Sequence, residues 1–498
     1  MVTIDIINRL IESGGIRTEF SCEAAEQARI AANMRITAHS RSRLDLRGKT
    51  VFTFNSMPIE STAFSGSSIQ KTDCAYSLDR KRGMFRLGLH IADTSEYVSE
   101  SSPLDIEAKT RGVSINIPGR SIPMLHEGLS KGACFFKEGE DKLAVSIFLD
   151  IDEKGSLLDI SFEESVIRTA RNCIFSEIDT LYTSTDSSSV LPLREKYAVL
   201  LPNMNDMYEL GGILYSSRMA SENTEYIELK RHYSFDTSGE ITSCELKTDY
   251  DSKLLVREFL IFTGRVLAKY MQRNSVPCIY ANQPVLSKEH LSIMADILNL
   301  SVTDEISDVE KQKLIFDTAK LTPGTDIINI LASRELPTMD YSVLPQPHSL
   351  FMEPLVRFSS PTSRYSDLAV QRVIKEFMKA RGNTNALNLT RLKKNVSEAA
   401  QITRDAEAKA AKLHCEVSDL LSLRIMQKRP TDGYPAYITS LNNGEMSILL
   451  ENGIKGRIYP KSECKKELYS VGERIEVEPF DLSGGTENAL FSIKAIKG

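Results

Sequence analysis

The sequence predicts an α+β chain that ends in a small all-β barrel. Three observations predict it. Short apolar strand runs, VFTF at 51–54 and KLAVSIFLD at 142–150, occur in the same region as helical segments. The stretch from Leu254 to Met271 is long and apolar on more than one face, as a core helix is. Beyond Pro430–Gly433 the pattern switches to short strands punctuated by Gly433, Gly444, Gly453, Gly456 and Gly472.

At 498 residues the chain can bury large cores. Apolar content of 41% and charged content of 26% place it among soluble globular proteins. The net charge of -6 argues against binding nucleic acid by bulk charge, although a local basic channel stays open. There is no run of apolar residues long enough for a membrane span, and no secretory signal pattern at the start, so no membrane partner is expected. The eight cysteines form no CxxC pair, which excludes the usual structural zinc pattern and fits a reducing cytoplasm or organelle matrix.

Taken in order, residues 1–40 are predicted to be a helical segment, with Ile6, Ile7, Leu10 and Ile11 as one stripe and Gly14–Gly15 as its stop. The segment is too poor in strand pattern for a β-barrel ahead of the main domain. Residues 41–429 form the main unit. Ala75–Leu78 and Met84–Ile91 are strands, Pro103–Arg111 a helix, and Val113–Ile117 a strand. Residues 142–150 and Leu157–Arg168 pair antiparallel across a turn at Asp152–Gly155. Residues 198–225, 251–273, Leu286–Leu300, Val309–Ala319 and Arg391–Met426 are helical. Residues 430–498 hold five short strands; pattern alone admits an SH3-like barrel nearly as well as an OB barrel.

The chain is organised around FMEPLVRFSSPTSRYSDLAVQR at 351–372. Ser359–Ser360–Pro361 supplies a turn, and Leu368, Val370 and Val373 begin a helix. Such a junction can present polar groups to an anion, though an ordinary helix start accounts for the bare pattern equally. The segment resembles HFTSPIRRYxDLxxHR of the RNase II/RNase R (RNB domain) exoribonucleases, keeping Phe358, Ser360, Pro361, Arg364, Tyr365, Asp367, Leu368 and Arg372. RLDLRG at 43–48, LGLHIADTSEYV at 87–98, RGVSINIPGRSIPMLHEGLSKGACFFKEGEDKLAVS at 111–146 and SVPCIYANQP at 275–284 resemble further parts of that domain. YITSLNNGEMSILLENGIKGRI resembles the opening of an S1-type OB barrel. The resemblance implies an RNB-type fold with an S1-like barrel, and processive 3′-to-5′ hydrolysis of single-stranded RNA to nucleoside 5′-monophosphates.

That chemistry needs a cluster of carboxylates around two divalent ions. In the family, four aspartates in a pattern like TIDxxxxxDxDDA supply them. The matching positions here are Asn55 (or Ser65, if AFSG rather than VFTFN is the match), Lys71, Asp73 and Cys74, so Asp73 alone keeps its carboxylate. A lysine would repel the ions, and a cysteine suits softer metals. Glu60, Asp79 and Asp93 are carboxylates that could be recruited instead. The resemblance also places Ser363 where the family has a phosphate-contacting arginine, with Arg364 matching the second arginine. Asn116 stands at the base-stacking tyrosine, Ala281 at the arginine of YRxQ, and Gln371 at the final histidine.

The expectation is therefore a retained fold with an altered site. It binds single-stranded RNA, or a protein or ribonucleoprotein partner, with hydrolysis lost and no cofactor required. RNA-binding candidates are Asn116, Arg372, Tyr437, Lys455, Arg457 and Tyr459; partly buried tyrosines and a solvated basic face are the plain alternative. A ridge of Arg372, Lys375, Lys379 and Arg381 either lines the channel or is the wet side of a helix. Two further readings stay open. One is an active exoribonuclease using magnesium or manganese in a non-standard site; the other is a purely structural subunit or assembly factor.

Overall fold

Strands β1 (Leu44–Asp45), β2 (Val51–Asn55), β3 (Cys74–Lys81), β4 (Met84–Ala92), β7 (Asp141–Ile151) and β8 (Leu157–Ile174) form one sheet in the order β1-β8-β2-β3-β4-β7. The computed structural model describes residues 3–34, 36, 42–56, 73–220, 223–303, 305–322, 324–428, 433–442, 445–458, 469–482 and 489–494. The first part of β8 pairs antiparallel with β7, and its last part pairs parallel with β2. The sheet therefore curls back on itself. The two long runs read from the sequence, 142–150 and 157–168, are the antiparallel pair predicted, with β8 continuing to Ile174. A hairpin of β5 (Ile115–Ile117) and β6 (Arg120–Ile122) lies apart from the sheet, after helix α3 (Pro103–Arg111).

Both faces of the central strands are covered. On β4, Phe85, Leu87, Leu89 and Ile91 are buried, and so is His90 between them. Burying an apolar side chain of this size is worth about 1.5–3 kcal/mol, so these strands anchor the fold. His90 is accommodated because Ser146 meets its Nδ1 at 2.7 Å and Ser77 its Nε2 at 3.0 Å. After β8 come α4 (Phe175–Thr183), α5 (Ser187–Lys196) and α6 (Leu201–Met219). A hairpin follows, β9 (Lys230–Phe235) with β10 (Ile241–Lys247), and then the core helix α7 (Asp251–Arg273). Gly264 on α7 admits the chain that leads to the site. A Cβ there would stand 2.6 Å from the Val356 carbonyl oxygen, and the Val356 amide donates to Gly264 O at 3.1 Å.

Strand β11 (Tyr280–Asn282) pairs with β12 (Asp340–Ser342), with α8 (Lys288–Ile297), α9 (Asp308–Leu321) and α10 (Asp326–Glu335) between them as a second core. Helices α11 (Tyr365–Lys379) and α12 (Leu389–Lys428) then complete the main unit. N-terminal α1 (Thr3–Ser13) packs Ile7 and Ile11 against the β5–β6 hairpin and α12, and α2 (Cys22–Ala32) packs on α3. The predicted helices and strands recur with shifted ends. Among the elements that sequence did not predict are β1, β6, α4, α5, α10, β11, β12 and the β9–β10 hairpin.

The chain ends in β13 (Tyr434–Asn442), β14 (Glu445–Leu450), β15 (Lys455–Ile458), β16 (Arg474–Asp481) and β17 (Leu490–Ile493). They close in the order β13-β14-β15-β17-β16, with β15 and β17 parallel. This order makes the barrel OB/S1-like and settles the choice left open by the strand pattern. Gly456 lets Phe491 fill the interior, since a Cβ would meet its ring at 2.4 Å. Among the described residues no helix is long and apolar enough to cross a membrane.

His90 and His348 are both buried, and burial lowers each to about 3. A lowered histidine stabilises the fold above its unfolded value near 6.5, and that stability is lost as pH falls toward 3. From pH 7.5 to 5 each should cost about 2 kcal/mol. Thermal melts across this range should show the loss, and His90→Gln should remove about half of it. An unchanged slope in the variant would contradict the assignment.

Candidate active site

The sheet register gathers the site at one edge. Asn55 ends β2, Asp73 precedes β3 and Cys74 begins it, and Asp93 follows β4. The Ala92 amide donates to Asp73 O at 2.8 Å, so Asp73 and Asp93 leave adjacent strands side by side. The Asp73 carboxylate is buried and accepts the Thr362 hydroxyl at 2.5 Å. This contact brings the 359–364 loop, distant in sequence, onto the strand ends. Asn55 is also buried; its Oδ1 has no partner among the described residues. Burial pushes the Cys74 thiol up to about 12, so it stays protonated at neutral pH. Lys71, Ser65 and Glu60 lie outside the described residues.

The loop is fixed from three sides. Ser114 N donates to Ser363 O and Tyr365 N to Gly112 O, each at 2.8 Å. The Ser360 amide donates to Asp367 Oδ2 at 3.0 Å. The helix start that could meet an external anion thus meets the helix's own carboxylate. Arg364 is 7% exposed; its Nη1 donates to Asp367 at 2.7 Å and its Nε to Glu407 Oε1 at 3.0 Å. Gln371 holds the turn after β4 by donating to Ala92 O at 2.8 Å and accepting from the Ser95 amide at 3.0 Å.

Asp93 belongs to an acidic triad. Asp93, Glu96 and Glu164 each offer a carboxylate oxygen, all within 4.8 Å of one another. The Lys375 ammonium sits among them, 2.7 Å from Asp93, 3.1 Å from Glu96 and 2.9 Å from Glu164. Arg43 reaches the same three, at 2.7, 2.9 and 3.5 Å. Burial opposes charge on Asp93, but Lys375 and Arg43 outweigh it and hold the carboxyl below its usual range. Three carboxylates face two cations. By donor chemistry the triad suits a hard divalent ion, but that ion must compete with Lys375. Asn55 and Asp73 add one neutral and one charged oxygen, short of the four carboxylates the resemblance implies.

The structure scatters the RNA-binding candidates. Asn116 lies on β5, where its side-chain oxygen accepts from Ser121 at 2.6 Å and its carbonyl meets His414 Nδ1 at 3.2 Å. Arg372 is engaged inside the fold rather than facing a channel, donating to Val98 O at 2.6 Å and Asp105 at 2.8 Å. Tyr437 is 8% exposed and packs into the second core, so its ring is not an open stacking face. Lys455 pairs with Glu335 at 2.7 Å and Arg457 with Glu445 at 3.5 Å; both line a cavity of about 540 Å³ between the barrel, α12 and the α8–α10 layer. Tyr459 lies outside the described residues. Sequence reasoning missed Arg43, Glu96, Glu164 and the structural role of Lys375. The one visible signal was Asp93 in HIAD.

Strand-end carboxylates, a loop-to-helix junction held on Asp73 by Thr362, and an OB/S1-like barrel define the class. The chain belongs to the RNB-domain family, whose domain matches residues 43–380. It is 25% identical over 479 residues to Ribonuclease R 1 of Lactococcus lactis subsp. lactis, covering 95% of this chain but 56% of that protein. Its fold is similar to Mycoplasma genitalium RNase R solved with ribose-methylated single-stranded RNA, with a TM-score of 0.82, 18% identity, and coverage of 99% and 78% of the two chains. It is also similar to yeast Ssd1, described as a pseudonuclease, with a TM-score of 0.64, 13% identity, and coverage of 91% and 55%.

Lys375→Met tests what the triad can hold. Removing one partner from a buried ion cluster costs about 3–5 kcal/mol, so the variant should melt well below the wild type. Manganese should recover more of the melting temperature in the variant than in the wild type, by mass action. Equal responses to manganese would show that the triad holds no cation.

Proposed function

We propose that this chain binds single-stranded RNA in its RNB fold and that the acidic triad supports metal-dependent 3′-to-5′ exoribonuclease activity through a non-standard site. The observation that carries hydrolysis is the triad of Asp93, Glu96 and Glu164, one negative charge in excess of Lys375 and Arg43. Magnesium or manganese held there, or by Asp73 with Asn55, would neutralise phosphate charge and activate water. The chain's own residues set the frame: Thr362 fixes Asp73, and Asp367 fixes Arg364. RNA binding is supported by the Mycoplasma structure and by the curated relatives, which are named as ribonucleases R. In this reading residues 41–429 are the RNB-like unit, 430–498 the barrel, and 1–40 a helical cap.

Binding without cleavage is the second reading, and specific observations favour it. Asn55 and Cys74 place uncharged groups at two of the expected carboxylate positions. Lys375 takes the centre of the triad. The likeness to Ssd1 supports a fold that persists without nuclease chemistry.

One assay separates them, using purified protein and a 5′-labelled single-stranded RNA with magnesium and then manganese. The hydrolytic reading expects metal-dependent shortening from the 3′ end, abolished by Asp73→Asn and by Glu164→Gln. Bound but intact RNA would leave binding alone. Neither binding nor cleavage would sink both and favour a structural or assembly role.

A further inference from the structure

Between the segment after α1, the β5–β6 hairpin and α12 lies a cavity of about 360 Å³. Its walls are apolar: Val113, Ile115, Ile122 and Pro123 on one side, Ile402 and Ala406 of α12 on the other. Val113, Ile115 and Ile122 are buried in the small core they share with Ile7 and Ile11 of α1. Side chains alternate along a strand, so Ile115 meets the cavity from the face of β5 opposite Asn116. The cavity is therefore separate from the position that matches the base-stacking tyrosine.

The walls are held in place. Gly112, at φ +69°, closes the end of α3 onto α12, and a Cβ there would stand 2.5 Å from that of Ala406. Arg111 fixes the covering segment with a side chain only 5% exposed. It donates to Arg17 O at 3.0 Å and Glu19 O at 2.6 Å, pairs with Glu107 at 2.9 Å, and lies 3.8 Å from the Phe20 ring centroid. Such walls suit an apolar body and offer little to a nucleobase edge. The Thr110 hydroxyl already donates to Ile106 O at 2.8 Å, and Asp405 accepts from Gln401 at 2.7 Å. Charge enters at the rim. Arg17 is exposed and in no ion pair among the described residues, and Lys409 donates only to Gly15 O at 3.4 Å. Lys109 is tied to Glu398 at 3.0 Å. Arg17 and Lys409 against the single carboxylate of Asp405 leave the mouth positive.

We propose that this cavity binds a medium-chain alkyl carboxylate, its chain against Ile115, Ile122 and Ile402 and its carboxylate between Arg17 and Lys409. An apolar chain gains from leaving water, and the two cations select the anion over an uncharged head group. The site does not depend on the RNA reading above. It does adjoin the loop of the candidate active site: Val113 pairs with Arg364, and the Ser114 amide donates to Ser363 O at 2.8 Å. A bound chain thus touches the strand that carries that loop.

The test is titration of sodium octanoate, below its micellar range, into the full chain with labelled isoleucine methyl groups, followed by nuclear magnetic resonance. The wild type should show saturable shifts at Ile16, Ile115, Ile122 and Ile402. Arg17→Glu and Lys409→Glu, both at exposed positions, should each weaken binding about fivefold. Ala406→Phe should fill the cavity and abolish binding, and octanol should bind more weakly than octanoate. Shifts that fail to saturate, that arise elsewhere in the chain, or that persist unchanged in both charge reversals would overturn the site. Octanol binding as tightly as octanoate would overturn the carboxylate. If Ala406→Phe does not fold, the charge reversals and the map of shifts decide between these outcomes.

Discussion

A buried lysine ammonium among three carboxylates is the interaction on which the rest depends. Lys375 comes from α11, Asp93 and Glu96 follow β4, Glu164 lies on β8, and Arg43 precedes β1. Taking such charges from water is costly, and only close mutual pairing offsets it. The pairing ties α11 to the edge of the sheet. That tie fixes the loop before α11, which sets Thr362 on Asp73 and Arg364 on Asp367 and Glu407. The cluster is also the one group of three acidic ligands identified among the described residues. Its two uses compete: a divalent ion there gains what Lys375 gives up.

The site differs from the one the family resemblance implies mainly in where its charge resides. At the expected positions the described groups are an amide, one carboxylate and a protonated thiol. A separate concentration of negative charge lies in Asp93, Glu96 and Glu164. Positive charge lies on Arg357 and Arg364, both facing Glu407. An OB/S1-like barrel stands beyond α12, its Lys455 and Arg457 on the rim of a shared cavity. The sequence alone points to lost hydrolysis; the triad keeps hydrolysis open.

Much of the frame was legible. The antiparallel pair β7–β8, the core helix α7 and the five barrel strands followed from period and turn residues, because each buries a regular face. The β9–β10 hairpin was missed although Asp236–Thr237–Ser238–Gly239 is a turn signal between β runs. Helix α5 was obscured by Ser187–Ser189 and Pro192. The site was only partly legible. Spacing put Arg372 and Lys375 on one helix face, but periodicity does not reveal what covers that face. Asp105 covers one and the triad the other. Tyr437 likewise alternates as a barrel residue should, yet whether it meets water or the α8–α10 layer is a tertiary fact. The triad and its two cations join residues from 43 to 375, a distance no local pattern spans.

The most direct measurement is electron paramagnetic resonance of manganese titrated into the protein with single-stranded RNA present. The account predicts protein-bound manganese that is lost in Glu164→Gln and kept in Cys74→Ser, since the triad and not the thiol supplies the ligands. Manganese that stays free in the wild type, or that binds equally in Glu164→Gln, would contradict it.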